Sequence, residues 1–489
     1  MRLSTSTLVS AVVLPALVSA HDIHHARFQP RQAAPASSAA SAATPSTVAA
    51  SGVTSAGAPS TVASAASSIS EPPTASFSLL SSNANAVPLS SINANAPSQA
   101  TVALDTTYQA GATPTVVSSA PGLPNPSSLV ISSYPPLDKT PPTDSPEVQQ
   151  WIQEVANSGV SIPNFSSTVA GGCPANAAAV ADTSRCWWTC GGCTRDTDIV
   201  SCPDKNTWGL TYDDGPSPYT PTLLSYLDEQ SLKSTFFVVG SRALSYPATL
   251  QAEYMGGHQI AVHTWSHPEL TTLSNEEIIA ELGWTKKIIK DVTGVTPNMM
   301  RPPYGDIDDR VRAICTAMGL TPVMWTRISP MATFDTGDFD IHSGATSVTQ
   351  VLANWENILG NASVMDTGFI VLEHDLFQQS VDVATGYILP DALAHKYTIE
   401  PVVNCVNKPM SDAYIETNDN STNPPIASGG AATLSSGAPG SAEATAKAGG
   451  SGNSSSSASA LVSSPKSLGL FALTTVIVSL VGGSVATLL

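Results

Sequence analysis

Residues Trp208 to Ser217 read WGLTYDDGPS and are the most informative part of the chain for its fold. Its first half, up to Tyr212, is a short apolar and aromatic run of the kind that forms a buried strand. Its second half places two adjacent carboxylates, Asp213 and Asp214, on a Gly-Pro turn directly after that strand. Adjacent carboxylates repel each other unless a cation or hydrogen bonds share the negative charge. The stretch therefore predicts a buried strand that ends in an acidic turn.

The same pattern of strand and polar motif recurs along the chain. Helical runs separate the strands, and the longest helix is predicted to begin at a capping box from Ser274 to Glu277 and to end at Gly294. Strands that alternate with helices imply a parallel sheet, open or closed into a barrel, with its chemistry at the carboxyl ends of the strands. The further predicted strands are Thr235 to Val239, Gln259 to Val262, Pro322 to Trp325 and Phe369 to Leu372.

Three more polar motifs follow these strands. His263 and His267 lie four residues apart, a spacing at which two imidazoles can close on one metal ion. With Asp214 they offer two nitrogens and one oxygen, a set that suits a catalytic zinc with an open position for water. Arg301 begins a rigid Arg-Pro-Pro-Tyr-Gly turn, and His374 ends an apolar strand. A single histidine is more often just packed, so it is the order of all four motifs at strand ends that indicates a catalytic site.

In these motifs the chain resembles the polysaccharide deacetylase family, carbohydrate esterase family four, and within it the fungal chitin deacetylases. The match covers residues 200–405, which is the part of the chain predicted to fold. The resemblance implies an α/β fold, a distorted (β/α) barrel. It also implies metal-dependent hydrolysis of the N-acetyl groups of β-1,4-linked N-acetylglucosamine in chitin, giving chitosan and acetate, with Zn²⁺ as the metal and Co²⁺ as the alternative.

The resemblance also assigns roles to the residues at the strand ends. The metal ligands that it implies are Asp214, His263 and His267. The catalytic residues that it implies are Asp213 as general base, Arg301 to orient that base, and His374 as general acid. The substrate contacts that it implies are the Tyr304 amide at the oxyanion, Leu372 in the acetyl pocket, and Trp325.

The chain departs from the family pattern in one place. The family has an Asp-Trp pair shortly after a strand that ends in Trp, and the Asp is the partner of the acid histidine. Here a longer insert follows Trp325. We assign the partner role to Asp338, where Phe339 replaces the indole.

Seven cysteines indicate a disulfide framework if the chain enters an oxidising compartment. Five lie close together ahead of the main domain, and Cys405 lies at its far edge. We expect three disulfides, one of them from Cys405 to the cluster, with Cys315 left over in a helix. The spacing of Cys190 and Cys193 leaves a zinc site as an alternative, and a small chitin-binding module is another interpretation of the cluster. The disulfide candidates are Cys173, Cys186, Cys190, Cys193, Cys202 and Cys405.

Both ends of the chain have the composition of targeting segments. Residues 1–20 combine a basic residue, an apolar stretch and small residues before Ala20, as in a signal peptide. The uncharged apolar tail follows small residues and a polar spacer, the pattern of a glycosylphosphatidylinositol (GPI) anchor signal, with Asn453 and Ser454 as candidate attachment residues near 452–456. A membrane-spanning helix is the alternative for this tail. We expect a secreted protein that is GPI-anchored at the plasma membrane or cell wall.

The regions between the ends differ sharply in composition. The flanks are rich in Ser, Thr, Ala, Gly and Pro and cannot bury enough apolar surface to offset the entropy of ordering, so we expect them to be disordered. Candidate glycosylation sites are Asn164, Asn361 and Asn420. The predicted segments are a signal peptide at 1–20, a stalk at 21–144, a cysteine-containing extension at 145–204, the catalytic domain at 205–410, a linker at 411–466 and a removed tail at 467–489.

Charge restricts the class of partner. The chain has 38 Asp and Glu against 20 Lys and Arg, for a net charge of −18, which disfavours nucleic acid. We expect a monomer that acts on chitin or cell-wall polysaccharide. Two alternatives stay open: an O-deacetylase that acts on acetylated xylan, and a non-catalytic wall protein or adhesin.

Overall fold

The computed structural model of the protein describes residues 76–329, 332–418 and Ser436–Gly437. The predicted signal peptide, the anchor signal with Asn453 and Ser454, and the sequon at Asn420 lie outside these residues. Within the described ranges, no helix has the length and apolar character needed to cross a membrane.

The elements alternate between strands and helices through most of the described chain. The strands are β1 Thr194–Arg195, β2 Thr207–Gly209, β3 Thr211–Asp213, β4 Thr235–Val238, β5 Gln259–Val262, β6 Met299–Met300, β7 Thr321–Pro322, β8 Arg327–Ser329, β9 Ala332–Thr333, β10 Phe369–Ile370, β11 Thr398–Glu400 and β12 Ser436–Gly437. The helices are α1 Pro146–Asn157, α2 Gly172–Ala175, α3 Ala177–Ala181, α4 Thr220–Glu229, α5 Gly240–Ser245, α6 Pro247–Met255, α7 Asn275–Thr293, α8 Asp309–Ala317, α9 Val348–Val364, α10 Gln378–Val383, α11 Leu389–Ala394 and α12 Val402–Cys405.

Two parallel sheets form the centre of the fold. One has five strands in the order β3-β4-β5-β6-β7, and the other has three in the order β10-β2-β11. Single parallel bridges, Asp213 with His374 and Asp335 with Leu372, join the extension of β10 to its neighbours. The predicted α/β fold, a distorted (β/α) barrel, is confirmed.

The predicted strand from Trp208 to Tyr212 is two strands, because the chain changes partners at Leu210. The Leu210 amide donates to the Glu400 carbonyl at 3.0 Å, and the Leu210 carbonyl accepts from the Thr235 amide at 2.9 Å. The residues before Leu210 therefore pair in the small sheet, and those after it pair in the large one. This step directs Asp213 and Asp214 into the end of the barrel.

The capping box and the end of α7 are as predicted. The Ser274 side chain accepts from the Glu277 amide, and the Glu277 carboxylate accepts from the Ser274 amide at 2.8 Å. The helix ends at Gly294, whose φ of 86° suits a residue without a Cβ.

The cysteines form three disulfides, as expected. They join Cys173 to Cys190, Cys186 to Cys193, and Cys202 to Cys405. The alternative zinc site at Cys190 and Cys193 is therefore wrong, since each of these residues is bonded to a different partner. Cys315 is free and buried in α8.

The predicted boundaries of the stalk and linker are wrong where the structure describes them. In residues 76–144, Ile92 is only 1% exposed and belongs to the main core, and the Gln99 side chain donates to Asp382 at 2.6 Å. Beyond residue 410, Tyr414 is fully buried, and its hydroxyl accepts from the Ile260 amide at 3.0 Å. Single apolar residues of this Ser-, Ala- and Pro-rich segment pack against the barrel and join its core. The segment therefore folds without a separate core.

Candidate active site

The carboxyl ends of four strands in the two sheets bring the polar motifs together. Asp213 is the last residue of β3, His263 follows β5, and Arg301 follows β6. His374 lies in the extension of β10, directly beside Asp213 in a parallel bridge. Motifs that lie far apart in sequence therefore share one end of the barrel. The Thr211 hydroxyl, which donates to the Val371 carbonyl 160 residues away, indicates the same.

Asp214, His263 and His267 form the cluster that was predicted to bind metal. Their candidate ligand atoms all lie within 4.8 Å of one another, and all three residues are buried. Asp214 Oδ1 is 3.1 Å from His267 Nε2 and 3.4 Å from His263 Nε2. His263 Nδ1 lies 2.8 Å from the Arg301 carbonyl oxygen, so it is the donor there, and the lone pair of Nε2 points towards Asp214.

The surroundings of Asp214 fit a divalent cation. Both of its carboxylate oxygens are buried and accept no hydrogen bond from the residues that the structure describes. A buried carboxylate that accepts no hydrogen bond is satisfied by a cation, and two imidazole nitrogens complete a donor set of the zinc type.

Asp213 has a different partner. Its Oδ1 accepts a hydrogen bond of 2.8 Å from Arg301 Nη1, which also donates to the Thr211 hydroxyl at 2.9 Å. Arg301 is fully buried, and its guanidinium lies over the Phe237 ring at 4.2 Å. Burial lowers the pKa of Arg301, while Asp213 opposes that effect. The salt bridge fixes the orientation of Asp213, and its Oδ2 lies 3.8 Å from His263 Nε2.

His374 is bonded to Asp338, the residue assigned as its partner. Its Nδ1 is 2.8 Å from Asp338 Oδ1, and its backbone amide donates to Asp338 Oδ2 at 2.9 Å. Burial alone would lower the pKa of His374, but Asp338, together with Asp214 and Asp213, raises it to about 10. Phe339 packs against the imidazole with ring centroids 5.1 Å apart. The insert after Trp325 thus returns a carboxylate and an aromatic ring to His374.

The three predicted substrate contacts lie in different surroundings. Tyr304 has a left-handed backbone with a φ of 59°, and its ring packs edge-on against His267 at 4.7 Å. Leu372 is 9% exposed. Trp325 is 7% exposed, packs against Trp188 at 4.6 Å and donates from its indole to the Thr333 hydroxyl. Their roles towards a substrate stay predictions.

Sequence reasoning did not assign two acidic residues that lie at the site. Asp375 follows His374 directly and accepts from the Thr220 hydroxyl at 2.5 Å, and burial raises its pKa to about 7. A Cβ at Gly215 would lie only 2.3 Å from the Asp375 carboxylate, so this turn requires glycine. Glu281 accepts hydrogen bonds from the loop between His263 and His267. Its signal in the sequence was an acidic residue on the apolar side of α7, next to Leu282.

The described sequons differ in accessibility. Asn164 is exposed, and Asn361 is partly exposed within α9. Glycosylation at either residue stays a prediction.

The family comparison and the sequence comparison agree. The family model described as polysaccharide deacetylase matches residues 201–323. The chain is 58% identical over 339 residues to chitin deacetylase 1 of Cryptococcus neoformans, covering 68% of this chain and 71% of the relative. It is 38% identical over 244 residues to a chitin deacetylase of Amylomyces rouxii, covering 45% and 56%. The solved structure of a chitin deacetylase from Colletotrichum lindemuthianum is 26% identical, covering 46% of this chain and 97% of that one, with a TM-score of 0.40.

Proposed function

The chain belongs to the polysaccharide deacetylase family, and from this premise we propose that it hydrolyses the N-acetyl groups of chitin to give chitosan and acetate. One observation supports this best. The cluster of Asp214, His263 and His267 lies beside two other groups, a carboxylate fixed by arginine and an imidazole paired with a carboxylate. A site with these groups has metal-binding residues, a base and an acid at one end of the barrel.

The residues of the chain divide the proton transfers between them. Asp213 takes a proton from the attacking water, because Arg301 holds only its Oδ1 and fixes its direction. His374 donates a proton to the departing sugar nitrogen from Nε2, since Asp338 occupies Nδ1. The carbon–nitrogen bond then breaks, and the products are a free amine on the sugar and acetate.

A divalent ion bound by Asp214, His263 and His267 would supply Lewis-acid polarisation of the acetyl carbonyl. We propose Zn²⁺ as this ion and Co²⁺ as its substitute, on the basis of two imidazoles and one carboxylate.

His374 as the general acid favours an amide over an ester as the substrate. An amine is a poor leaving group unless it is protonated, whereas the alcohol of an acetylated xylan leaves more easily. The pKa of His374 of about 10 keeps the imidazole protonated at neutral pH. Acetylated xylan is therefore the control substrate.

We also propose that the protein is secreted, carries a GPI anchor and works as a monomer at the cell surface. The composition of both ends supports secretion and the anchor, and the three disulfides support secretion, since disulfides are rare in reducing compartments. Release of the protein from intact cells by a phospholipase specific for phosphatidylinositol tests the anchor. Retention on the cells after treatment would contradict it.

Acetate release from a defined N-acetylglucosamine oligomer tests the function. We expect release by the wild type, its loss with a chelator, and its recovery with added Zn²⁺. Asp213→Asn should lower the rate by about 10²–10⁴, the usual contribution of a general base, while retaining bound metal. Wild-type rates in this variant would exclude Asp213 as the base, and faster release from acetylated xylan than from the oligomer would favour the O-deacetylase.

A further inference from the structure

The loop from His263 to His267, here called the histidine loop, has an unusual backbone. Thr264 has a φ of 65° and His267 a φ of 61°, both in the left-handed region. Residues with a Cβ rarely adopt this region, and a β-branched threonine does so least readily. Such a conformation persists only where the surroundings hold it in place. The direction in which the two imidazoles point therefore depends on what holds the loop.

Glu281 holds the loop from inside the protein. Its Oε2 accepts hydrogen bonds from the backbone amides of Trp265, at 2.7 Å, and Ser266, at 2.9 Å. Its Oε1 accepts from the Ser266 hydroxyl at 2.5 Å. Glu281 is fully buried in α7, so three donors of the histidine loop replace the water that its carboxylate loses on folding.

The carbonyl groups of the loop are held by a different element. The amides of Gly240 and Ser241, at the start of α5, donate to the carbonyls of Thr264 at 2.9 Å and Trp265 at 3.1 Å. A Cβ at Gly240 would lie 2.6 Å from the Trp265 ring, so this approach requires glycine. Helix α5 thus binds the acceptors of the loop, and Glu281 binds its donors.

Tyr134 and Pro136, which precede α1, cover the outer side of the histidine loop. The Trp265 indole donates to the Pro136 carbonyl at 3.0 Å, and the Tyr134 ring lies parallel to the indole at 6.1 Å. These contacts do not involve Glu281. A variant that lacks the Glu281 carboxylate therefore keeps these contacts of the loop. It loses the bonds from the two central amides and from the Ser266 hydroxyl, together with the hydrogen bond from the Thr140 side chain.

We infer that Glu281 is a positioning residue, which holds the histidine loop in the one shape that directs both imidazoles at Asp214. The inference rests on the metal site of the proposed function. The two ligands lie at either end of the residues that Glu281 binds, so a shift of those amides changes the distance between the imidazoles. Residues that hold metal ligands in place without binding the metal themselves typically raise metal affinity 10–100-fold.

The test is the Zn²⁺ affinity of the metal-free, full-length protein, measured by competition with a chromophoric chelator. We expect Glu281→Ala to weaken binding about 10–100-fold. Glu281→Gln should stay close to the wild type, because its amide oxygen can still accept from both backbone amides while its NH₂ group donates to the Ser266 hydroxyl. Glu253→Ala is the matched control, since Glu253 is equally buried, lies in α6 and has a carboxylate that accepts no hydrogen bond from the described residues.

The outcomes separate this inference from the metal site itself. Wild-type affinity in Glu281→Ala, or equal losses in Glu281→Ala and Glu253→Ala, would overturn the inference. If Glu281→Ala does not fold, Glu281→Asp takes its place, because it keeps the charge but is too short to reach both amides, and wild-type affinity there would overturn the inference equally. A wild type that binds no Zn²⁺ contradicts the metal site first, and this inference with it.

Discussion

Asp213 and Asp214 are neighbours in sequence but have different surroundings at atomic scale. Asp213 ends β3 with regular strand geometry and accepts from Arg301, whereas Asp214 has a φ of 79° and faces two imidazoles. The change of backbone conformation between them turns the two side chains in different directions. Two adjacent carboxylates therefore have the different surroundings that the proposed roles of base and metal ligand require.

His374 owes its positive charge more to Asp338 than to any other neighbour, which gives a pH prediction. We expect Asp338→Asn to lower the pKa of His374 from about 10, because the carboxylate that stabilises the imidazolium is lost. The alkaline limb of kcat/KM for acetate release should move to lower pH. Asp340→Asn, the same change on an exposed carboxylate two residues further on, should leave the profile in place. An unchanged alkaline limb in Asp338→Asn would contradict the assignment of the acid pair.

The pair of His374 and Asp338 also stabilises the folded protein, and it does so less as the pH rises. The pKa of His374 is higher in the folded protein than in the unfolded chain, so its contribution is complete below about pH 6.5 and is lost as the pH rises towards about 10. Thermal unfolding measured over this range should show a smaller alkaline loss of stability in Asp338→Asn than in the wild type.

At the residue scale, the sequence predicted which residues form the site better than it predicted the groups that surround each of them. Asp214, His263 and His267 were found because ligand types recur after strands, and a strand end is visible in an apolar run. Glu281 was not found, since its partners are backbone amides of a loop that has no signature of its own. A buried carboxylate is assigned only once the donors around it are located.

At the scale of elements, periodic segments were predicted well and aperiodic ones were not. Helix α7 has a cap, a repeating apolar side and a terminal glycine, which all specify the same helix. Residues 76–144 have no period, because their apolar residues dock singly into grooves that other elements build. Their Ser- and Ala-rich composition resembles that of a free stalk, and only the folded barrel reveals the docking sites.

The docked segment gives a prediction at this scale. Ile92→Ala should destabilise the protein by about 2–5 kcal/mol, the usual cost of emptying a buried isoleucine site. Ile92 is 1% exposed, whereas Ile131 in the same segment is 67% exposed, so Ile131→Ala should have little effect. Chemical unfolding of both variants makes the comparison. Equal midpoints for Ile92→Ala and the wild type would mean that the segment is a free stalk after all.

At the scale of the whole molecule, one covalent bond joins the beginning of the barrel to its end. Cys202 precedes β2, and Cys405 ends α12, so their disulfide spans 203 residues of sequence. The sequence predicted that Cys405 pairs with the cluster, but not with which member, because connectivity depends on distances that only the fold sets. The other two bonds close short loops inside the extension.

The disulfides close loops of different length, so we expect them to stabilise the protein by different amounts. A disulfide stabilises a protein mainly by restricting the unfolded chain, and the chain-entropy model gives about 5 kcal/mol for the loop between Cys202 and Cys405, against about 2 kcal/mol for the loop between Cys186 and Cys193. Replacing the first pair with alanine should therefore lower the unfolding midpoint about twice as much as replacing the second pair. Calorimetry under identical oxidising conditions makes this comparison. An equal or larger loss from the short loop would show that local packing around Cys186, rather than closure of the whole barrel, determines what these bonds contribute.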